Sequence, residues 1–402
     1  MKHIGKDYTD HCHICQKKFL YHSGKKMIDG ILHLCYFCDE KFMKSLSLFF
    51  HSFSEVSVIM KVTMRTIAKQ AGVSVPTVSR VLNSPEQVKP ETREKVMHVI
   101  RSLNFRPNAI ARNLRAQQSR TIGVIIPQIR DYFFNELYQG IYKAATESGF
   151  NILLFDAQMD PERVMEGFSF LKEQQAEGII FTSSYISNDY YTMIARVGLP
   201  VILTLTESPW HDLAAFKVDE QKAAFDAMSY LVARGHRKIG VISGPLESTI
   251  AGQHRYDGYM MAIKHYQLPF DKDQLAFGDF RYESGYRAME TILSHAKTTG
   301  ITAVCVASDE MAIGAMRAVY DHHLRVPEDI SVIGFDNLSI SDMVTPKLTT
   351  VAQPFEQIGY EAVSALITKL EGGGNTVSNG AHNLSHQIIS RESVANYAYD
   401  DS

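Results

Sequence analysis

Residues 63–83 read TMRTIAKQAGVSVPTVSRVLN, and this stretch decides the fold of the first folded module. Its apolar residues recur at the spacing of a helix, with Thr63 placed to cap the amino end and Gly72 placed to end it. After a three-residue turn, Ser74 can cap a second helix, and Pro76 falls in the first turn of that helix, where its missing N–H costs little. The apolar residues of the first helix are Ile67, Ala68 and Ala71. This pattern predicts a helix-turn-helix.

A third helix is predicted to begin near Pro90. It carries a single apolar stripe, formed by Val96, Val99, Ile100 and Leu103. Such a stripe would cover the first two helices. Residues 61–106 are therefore predicted to form one all-α helix-turn-helix domain.

The distribution of charge separates this module from the rest of the chain. The 402 residues are 45% hydrophobic and 21% charged, so the chain is long enough to bury two or three cores. Residues 61–120 hold 12 Lys and Arg against 3 Asp and Glu, a net charge of +9, whereas residues 121–402 hold 21 against 35, a net charge of −14. A basic module on an acidic body indicates a polyanionic partner for the module alone. No apolar run reaches the roughly 18 residues of a membrane helix, so no membrane partner is expected.

The outer face of the second helix carries the side chains that suit DNA. Val75 and Pro76 can contact thymine methyl groups in the major groove, and Arg80 can bond guanine. Small polar side chains suit contacts to phosphate, which set register without reading bases. The phosphate-contact candidates are Thr77, Ser79 and Asn83, together with the two capping residues Thr63 and Ser74. The alternative is an ordinary three-helix bundle with a solvated basic surface.

On these residues the chain resembles the LacI/GalR family of bacterial transcription regulators. The resemblance is closest over VTMRTIAKQAGVSVPTVSRVLN, and it continues through KPETREKV and RPNAIARNL. It implies that residues 107–119 form a hinge helix when bound to DNA. In that helix Leu114 would wedge into the minor groove, with Asn108 and Ala111 beside it.

The body that follows alternates β-type runs with amphipathic stretches, for example TIGVIIP before NELYQGIYKAATESG. Such alternation indicates parallel sheets with crossover helices, an α/β fold. The resemblance implies that residues 120–395 form a two-lobed, periplasmic-binding-protein-like sensor domain that also dimerises, followed by a tail at 396–402. It implies crossings between the lobes near Val218, near Leu348 and before His386.

Polar and aromatic residues follow the predicted strands, and ligands of such sheets bind beyond the carboxyl ends of the strands. Carboxylates and an arginine can bind vicinal hydroxyls, and an aromatic ring can pack on the apolar face of a sugar. The predicted effector-binding residues are Phe133, Phe134, Asp156, Ser183, Arg255, Phe280, Asp309 and Asp336. The resemblance implies that Arg255 and Asp336 contact the effector and that Phe280 stacks on it. Two alternatives stay open: Asp309 could only cap a helix, and the two phenylalanines could be core.

Two departures from the family pattern bear on the identity of the effector. Thr206 and Glu207 follow a strand where many relatives place an Asp, and Ser308 stands where some sugar-responsive members have Asn. The effector can therefore differ from the best-known galactosides.

Four of the five cysteines lie in the first forty residues as two Cys-x2-Cys pairs, nineteen residues apart. Two such pairs supply four thiolates, a ligand set that zinc prefers. The candidate zinc ligands are Cys12, Cys15, Cys35 and Cys38. The alternatives are that they are reduced thiols in a tail, or that residues 1–40 and the linker at 41–60 do not belong to the native protein, whose translation could begin at Met60 or Met64. No signal peptide is recognised, so a cytoplasmic location is expected.

Together these features predict a homodimeric transcription repressor that binds pseudo-palindromic operator DNA and responds to a small carbohydrate. It would need no cofactor. The sequence has no Walker loop, no GxGxxG after a strand and no HExxH, so an enzyme is not expected. Two alternatives remain: control by a protein corepressor, which would leave the cleft degraded, and a sugar-binding protein or enzyme of similar lobed fold.

Overall fold

The computed structural model describes residues 62–105, 119–182, 185–208, 210–372 and 377–397. The candidate zinc ligands Cys12, Cys15, Cys35 and Cys38, the candidate hinge residues Asn108, Ala111 and Leu114, and the effector candidate Ser183 lie outside these ranges. Within the described ranges no helix is long and apolar enough to span a membrane.

The first module is the expected set of three helices. They are α1 (Met64–Ala71), α2 (Val75–Asn83) and α3 (Pro90–Ser102), with a 3-10 turn at Pro85–Gln87 between the last two. The helix ends confirm the sequence pattern. The Thr63 hydroxyl accepts the N–H of Thr66, and the Ser74 hydroxyl accepts the N–H of Thr77. Gly72 ends α1 at φ 63°, a left-handed conformation that costs glycine little.

The core of this module is small and comes from all three helices. Its fully buried side chains are Ile67, Ala68, Val78, Val81, Val96 and Ile100, and Val99 and Leu103 pack against them. The stripe predicted for the third helix therefore covers the first two.

The body consists of two α/β lobes, each built on a six-stranded sheet. The first lobe contains strands β1 (Thr121–Ile126), β2 (Asn151–Asp156), β3 (Gly178–Thr182), β4 (Val201–Thr204) and β5 (Ala214–Val218) and helices α4 (Tyr132–Glu147), α5 (Pro161–Glu173) and α6 (Asn188–Val197). The second lobe contains helices α7 (Glu220–Ala233), α8 (Arg255–His265), α9 (Tyr282–Ser294), α10 (Ala296–Thr299) and α11 (Asp309–Asp321) and strands β6 (Ile239–Ser243), β7 (Leu275–Phe277), β8 (Ala303–Val306), β9 (Ser331–Asp336) and β10 (Thr349–Ala352). Short helical turns at Thr249–His254, Lys272–Gln274 and Ser339–Asp342 also belong to it.

The last elements return to each lobe in turn. Helix α12 (Phe355–Leu370) packs on α4 in the first lobe, β11 (Gly380–Leu384) pairs with β5, and β12 (Gln387–Ile389) pairs with β10 in the second lobe. The chain therefore crosses between lobes after Val218, between Ala352 and Phe355, and between Leu384 and Gln387. The first and third crossings match expectation. The second lies after β10 rather than near Leu348, because the short strand Thr349–Ala352 stays in the second sheet.

Both sheets are parallel, with one exception. The strand orders are β11-β5-β4-β3-β1-β2 and β12-β10-β9-β8-β6-β7, and only β12 runs antiparallel, to β10. In each lobe the helices cover the sheet and the apolar strands are buried between them. The carboxyl ends of the parallel strands therefore meet at one edge of each sheet, which is where a ligand site is expected.

Glycines allow close helix crossings in both lobes. A Cβ at Gly140 of α4 would lie 1.8 Å from the Glu356 carbonyl oxygen, and one at Gly359 of α12 would lie 2.3 Å from the Leu137 carbonyl oxygen. In the second lobe a Cβ at Gly314 of α11 would lie 2.1 Å from the backbone of α9. The backbones at these crossings touch, so no larger side chain fits.

Candidate functional site

Helix α2 keeps one face exposed. Val78 and Val81 are buried against α1 and α3, whereas Val75, Pro76 and Arg80 on the other side of the helix are exposed. An exposed helix face with two apolar contacts and one guanidinium is suited to enter the major groove.

The small polar residues of α2 bond to one another on this module. The hydroxyls of Ser74 and Thr77 lie 2.9 Å apart, and Asn83 Nδ2 donates to Ser79 Oγ at 3.3 Å. Thr63 is bonded to Thr66 in the same way at the start of α1. Capping therefore already accounts for Thr63 and Ser74, and a phosphate contact would be additional to that role.

The body contains a cavity at the carboxyl ends of its strands, lined from both lobes. Its volume of about 170 Å³ is more than ten times the roughly 10–15 Å³ that one water requires, so a small ligand fits. The lining residues are Pro127, Asp131, Tyr132, Phe133, Met159, Leu205, Glu220, Ser248, Ala251, Arg255, Asp279, Phe280, Arg281, Ser308, Glu310, Asp336, Leu338, Gln353 and Phe355.

Arg255, the first residue of α8, is buried in the cavity wall and held by two carboxylates. Its Nε donates to Glu220 Oε2 at 2.7 Å, Nη1 donates to the Ala307 carbonyl oxygen, and Nη2 donates to Asp336 Oδ1 at 3.4 Å. Its guanidinium also lies 3.8 Å from the centre of the Phe335 ring. Three of its five N–H groups are thus engaged by described residues, which leaves two for a ligand. Burial alone would lower the pKa of Arg255, but Glu220 and Asp336 raise it above its ordinary value.

Asp336 ends β9 and shares Oδ1 between Arg255 and Gln353. Burial raises the pKa of Asp336 to about 6, and the neighbouring Arg255 only partly offsets this rise. Behind it, Asp309 accepts the N–H of Leu338 at 2.7 Å and the hydroxyl of Thr350. Burial, and then the charge of Asp336, raise the pKa of Asp309 well above its usual range. Asp309 therefore holds the loop that follows β9.

Gln353 presents an unpartnered acceptor in the wall of the cavity. Its side chain is 7% exposed, and Nε2 donates to Asp336 Oδ1 at 2.8 Å. A carboxylate oxygen accepts only, so this contact fixes which way the amide points. Oε1 is buried and has no hydrogen-bond partner among the described residues. A buried acceptor without a partner is costly, and a ligand hydroxyl would satisfy it.

Aromatic rings form the apolar part of the cavity. Phe133 lies 5.9 Å from Phe355, centre to centre, and the Phe280 ring covers the backbone of Gly244. Several lining residues adopt positive φ values that non-glycine residues rarely show, a strain that concentrates at functional sites. These residues are Met159 (φ 60°), Leu205 (φ 55°), Phe280 (φ 69°) and Asp336 (φ 113°).

Arg281 joins the two lobes across the cavity. Extending from the start of α9 in the second lobe, its Nη2 donates to Asp131 Oδ1 and to Gln128 Oε1 of the first lobe. Nη1 lies 3.6 Å from Glu310 Oε2. Arg281 therefore connects the two lobes across the cavity.

The structure brings four of the predicted effector residues together in this cavity, namely Phe133, Arg255, Phe280 and Asp336. Three others do not line it. Phe134 is buried in the core of the first lobe. Asp156 accepts the N–H groups of Gln158 and Ile129 in the loops after β2 and β1. Asp309 lies behind Asp336 and accepts the N–H of Leu338.

The structure also shows the surroundings of the three residues at the positions that depart from the family pattern. Thr206 is fully buried, and Glu207 pairs with Lys217 at 2.9 Å. Ser308 lines the cavity and caps α11 by accepting the N–H of Met311, which is the capping role considered for Asp309.

Further residues line the cavity and were not predicted from the sequence, among them Glu220, Arg281, Gln353 and Phe355. Glu220 follows β5 and Gln353 follows β10, so the rule of reading strand ends would have found both. Neither strand was recognised, because β5 contains the buried Lys217 and β10 has only four residues, two of them threonine.

Comparison with known proteins shows similarity along most of the chain. Residues 63–108 match the profile described as bacterial regulatory proteins, lacI family, and residues 228–394 match a periplasmic binding protein-like domain. Catabolite control protein A of Priestia megaterium is 37% identical over 335 residues, which is 83% of this chain and 100% of that protein. The crystal structure of the Lac repressor dimer bound to operator and the anti-inducer ONPF is 28% identical, with a TM-score of 0.76 over 83% of this chain and 99% of that one. The complex of the transcriptional regulator CelR with cellobiose is 28% identical, with a TM-score of 0.63 over the same shares.

Proposed function

This chain belongs to the lacI family of bacterial regulatory proteins, and we propose that it is a homodimeric repressor whose affinity for operator DNA is set by a small carbohydrate bound between its two lobes. The proteins it resembles are regulators rather than enzymes. One similar structure is a dimer on operator DNA and another holds cellobiose, which supports both parts of the proposal. As a DNA-binding regulator, the protein would act in the cytoplasm, by binding and without a cofactor.

The observation that carries the effector proposal is Oε1 of Gln353, which lies beside Arg255 and Asp336 and has no hydrogen-bond partner in the described part of the chain. An acceptor, two remaining guanidinium N–H groups and a carboxylate lie on one side of the cavity, and the ring of Phe280 lies in the same lining. Hydroxyls satisfy such a polar set, and the apolar face of a sugar ring packs on an aromatic ring. A ligand that contacts both lobes shifts the population between lobe arrangements in proportion to its differential affinity for them.

On DNA, each protomer would place α2 in the major groove of one half-site. Arg80 would read a guanine, and Val75 and Pro76 would contact thymine methyl groups. The hinge residues Asn108 and Ala111 would contact the minor groove, and Leu114 would wedge into it together with its symmetry mate. A two-fold operator follows from two such readers in a symmetric dimer.

Control by a protein corepressor is the alternative within the same family. It predicts a degraded cleft, whereas the cavity here is lined by paired charged groups and aromatic rings. These features favour a small-molecule effector.

If residues 1–40 are translated, we propose that Cys12, Cys15, Cys35 and Cys38 bind one structural zinc. The mass of the native protein tests this directly. A polypeptide that begins at Met60 or Met64 would show that the native protein lacks these four cysteines.

The effector proposal is tested by thermal-shift screening of the full-length chain against a panel of sugars. At least one sugar should raise the melting temperature and change the affinity for operator. Gln353→Leu should weaken that sugar's binding about 5- to 150-fold, the cost of removing the partner of a buried hydroxyl. The matched control is Gln357→Leu, since Gln357 is exposed on α12 and donates to Glu361. Equal effects of the two variants, or no response to any sugar, would contradict the proposal.

A further inference from the structure

The cavity carries more negative than positive charge. Among the described residues, five carboxylates and two guanidinium groups line it. The carboxylates are those of Asp131, Glu220, Asp279, Glu310 and Asp336, and the guanidinium groups are those of Arg255 and Arg281. Whether the cavity can hold an anionic ligand therefore depends on whether either arginine is free to pair with that ligand.

Arg255 is not free, since two carboxylates already hold it. Glu220 lies 2.7 Å from its Nε and Asp336 lies 3.4 Å from its Nη2, and the side chains of Arg255 and Glu220 are 5% and 2% exposed. Its two remaining N–H groups can donate to a hydroxyl. A ligand anion, however, would have to share a cation that two buried carboxylates already neutralise.

Arg281 is engaged in the same way at the other side of the cavity. Its Nη2 bonds Asp131 of the first lobe and its Nη1 lies 3.6 Å from Glu310. The backbone N–H of Arg281 also donates to Asp279 Oδ1 at 3.1 Å. Asp279 lies beside Arg281 as a third negative group, and its pKa is lowered: burial opposes this, but hydrogen bonds from Ser284 and the backbone outweigh it.

Helix amino ends are the other usual sites for anions. Of the helices whose starts line the cavity, three have an acidic residue at that end that also lines it. Asp131 is the N-cap residue of α4, Glu220 is the first residue of α7, and Glu310 is the second residue of α11. The partial positive charge at these three helix ends therefore lies next to a carboxylate of the protein.

We propose, on the basis of the function proposed above, that the cavity selects an uncharged carbohydrate and rejects its phosphorylated and carboxylated counterparts. A bound phosphate would be a desolvated anion among five carboxylates with no cation of its own. Hydroxyls, by contrast, can donate to carboxylates and to Gln353 and can accept from Arg255. The charge of the wall, rather than its shape, makes this discrimination.

Calorimetric titration of the full-length chain with matched pairs tests the proposal. Suitable pairs are glucose and glucose 6-phosphate, ribose and ribose 5-phosphate, fructose and fructose 1-phosphate, and galactose and galacturonate. The neutral member of any pair that binds should bind at least about 100-fold more tightly, because an unpaired buried charge costs several kcal/mol. A charged member that binds as tightly as its neutral partner would overturn this inference and leave the carbohydrate effector standing. If no sugar of either kind binds, the carbohydrate effector and the inference fall together.

A charge-altering variant separates the charge of the cavity from the net charge of the protein. Glu310→Gln removes one of the two carboxylates on Arg281 and keeps an oxygen for the N–H of Tyr282. It should increase the affinity for the phosphorylated member of the pair that binds by about tenfold. Asp321→Asn makes the same charge change at an exposed pair with Arg317, outside the cavity lining, and should leave that affinity unchanged. No gain with Glu310→Gln, or the same gain with both variants, would contradict the proposal.

Discussion

Arg255 combines two roles that the sequence presents as alternatives. The family resemblance implies an effector contact, while its chemistry is equally that of a buried ion pair. The structure shows the ion pair, with Glu220 and Asp336, and it also places the same side chain in the lining of the cavity. The two roles are compatible because a guanidinium has five donors and the protein engages three of them.

Arg255→Ala should therefore lower stability as well as the effector response. Removing one partner of a buried ion pair leaves Glu220 uncompensated, and this should lower the free energy of unfolding by about 3–5 kcal/mol. Chemical denaturation of the full-length chain measures it, with Arg317→Ala at an exposed pair as the control that should show no measurable change. A variant that keeps the wild-type stability but loses its sugar response would show that Arg255 serves the ligand alone.

Asp336 should make stability depend on pH. Its pKa is raised from 3.8 to about 6 in the folded protein, so the folded state binds the proton more tightly. This contribution favours folding below about pH 4 and is lost as the pH rises to about 6. The difference between the two pKa values corresponds to about 3 kcal/mol.

Denaturation of the wild type and of Asp336→Asn at pH 4 and pH 7 measures this contribution. The wild type should lose more stability than the variant over that interval. The variant should also lose part of the pH dependence that Asp309 contributes, because the charge of Asp336 raises the pKa of Asp309. An equal change in stability between pH 4 and pH 7 for the two proteins would show that Asp336 does not titrate in this way.

At the scale of elements, the helix ends of the first module were predictable from single residues. Thr63, Gly72 and Ser74 each have a local physical reason to stand where they do, and each takes its expected conformation. The strands of the body were predictable where apolar runs are long. They were missed at β5 and β10, where burial and neighbouring strands, rather than the composition of the segment, decide the structure.

Arg80 on α2 should determine base preference. Arg80→Ala should cost about 1–3 kcal/mol per half-site and relax the sequence preference at one base pair in each. Lys95→Ala, on α3, removes the same charge from the module without touching α2. Competition binding against single-base operator variants distinguishes the two variants. An equal loss on operator and on random DNA for Arg80→Ala would place Arg80 on the phosphate backbone instead.

The close helix crossings of the body should reverse the usual preference for alanine. Gly→Ala in a helix ordinarily stabilises it by about 1 kcal/mol. At Gly359 the new Cβ would lie 2.3 Å from the Leu137 carbonyl oxygen. Gly359→Ala should therefore destabilise the first lobe by about 1–3 kcal/mol, and Gly314→Ala should do the same in the second. An increase in melting temperature for either variant would show that the helices can separate at no cost.

At the scale of the whole molecule, the sequence separates a basic DNA-binding module from an acidic body. Residues 61–120 carry a net charge of +9 and residues 121–402 a net charge of −14. Attraction to DNA is therefore confined to the module that carries α2, and the body contributes ligand binding. Charge separation and the two fold classes follow from the sequence. The pairing of buried charges in the cavity does not, because it depends on which strand ends meet across two lobes.

The proposed function requires that this chain bind a two-fold symmetric DNA sequence as a dimer. Selection of the full-length protein on a random-sequence DNA library, followed by sequencing of the bound fraction, tests it most directly. We expect enrichment of a pseudo-palindrome whose half-sites are related by two-fold symmetry, bound as a dimer in light scattering. Enrichment of a single unpaired half-site, or a bound fraction with no sequence preference, would contradict the claim.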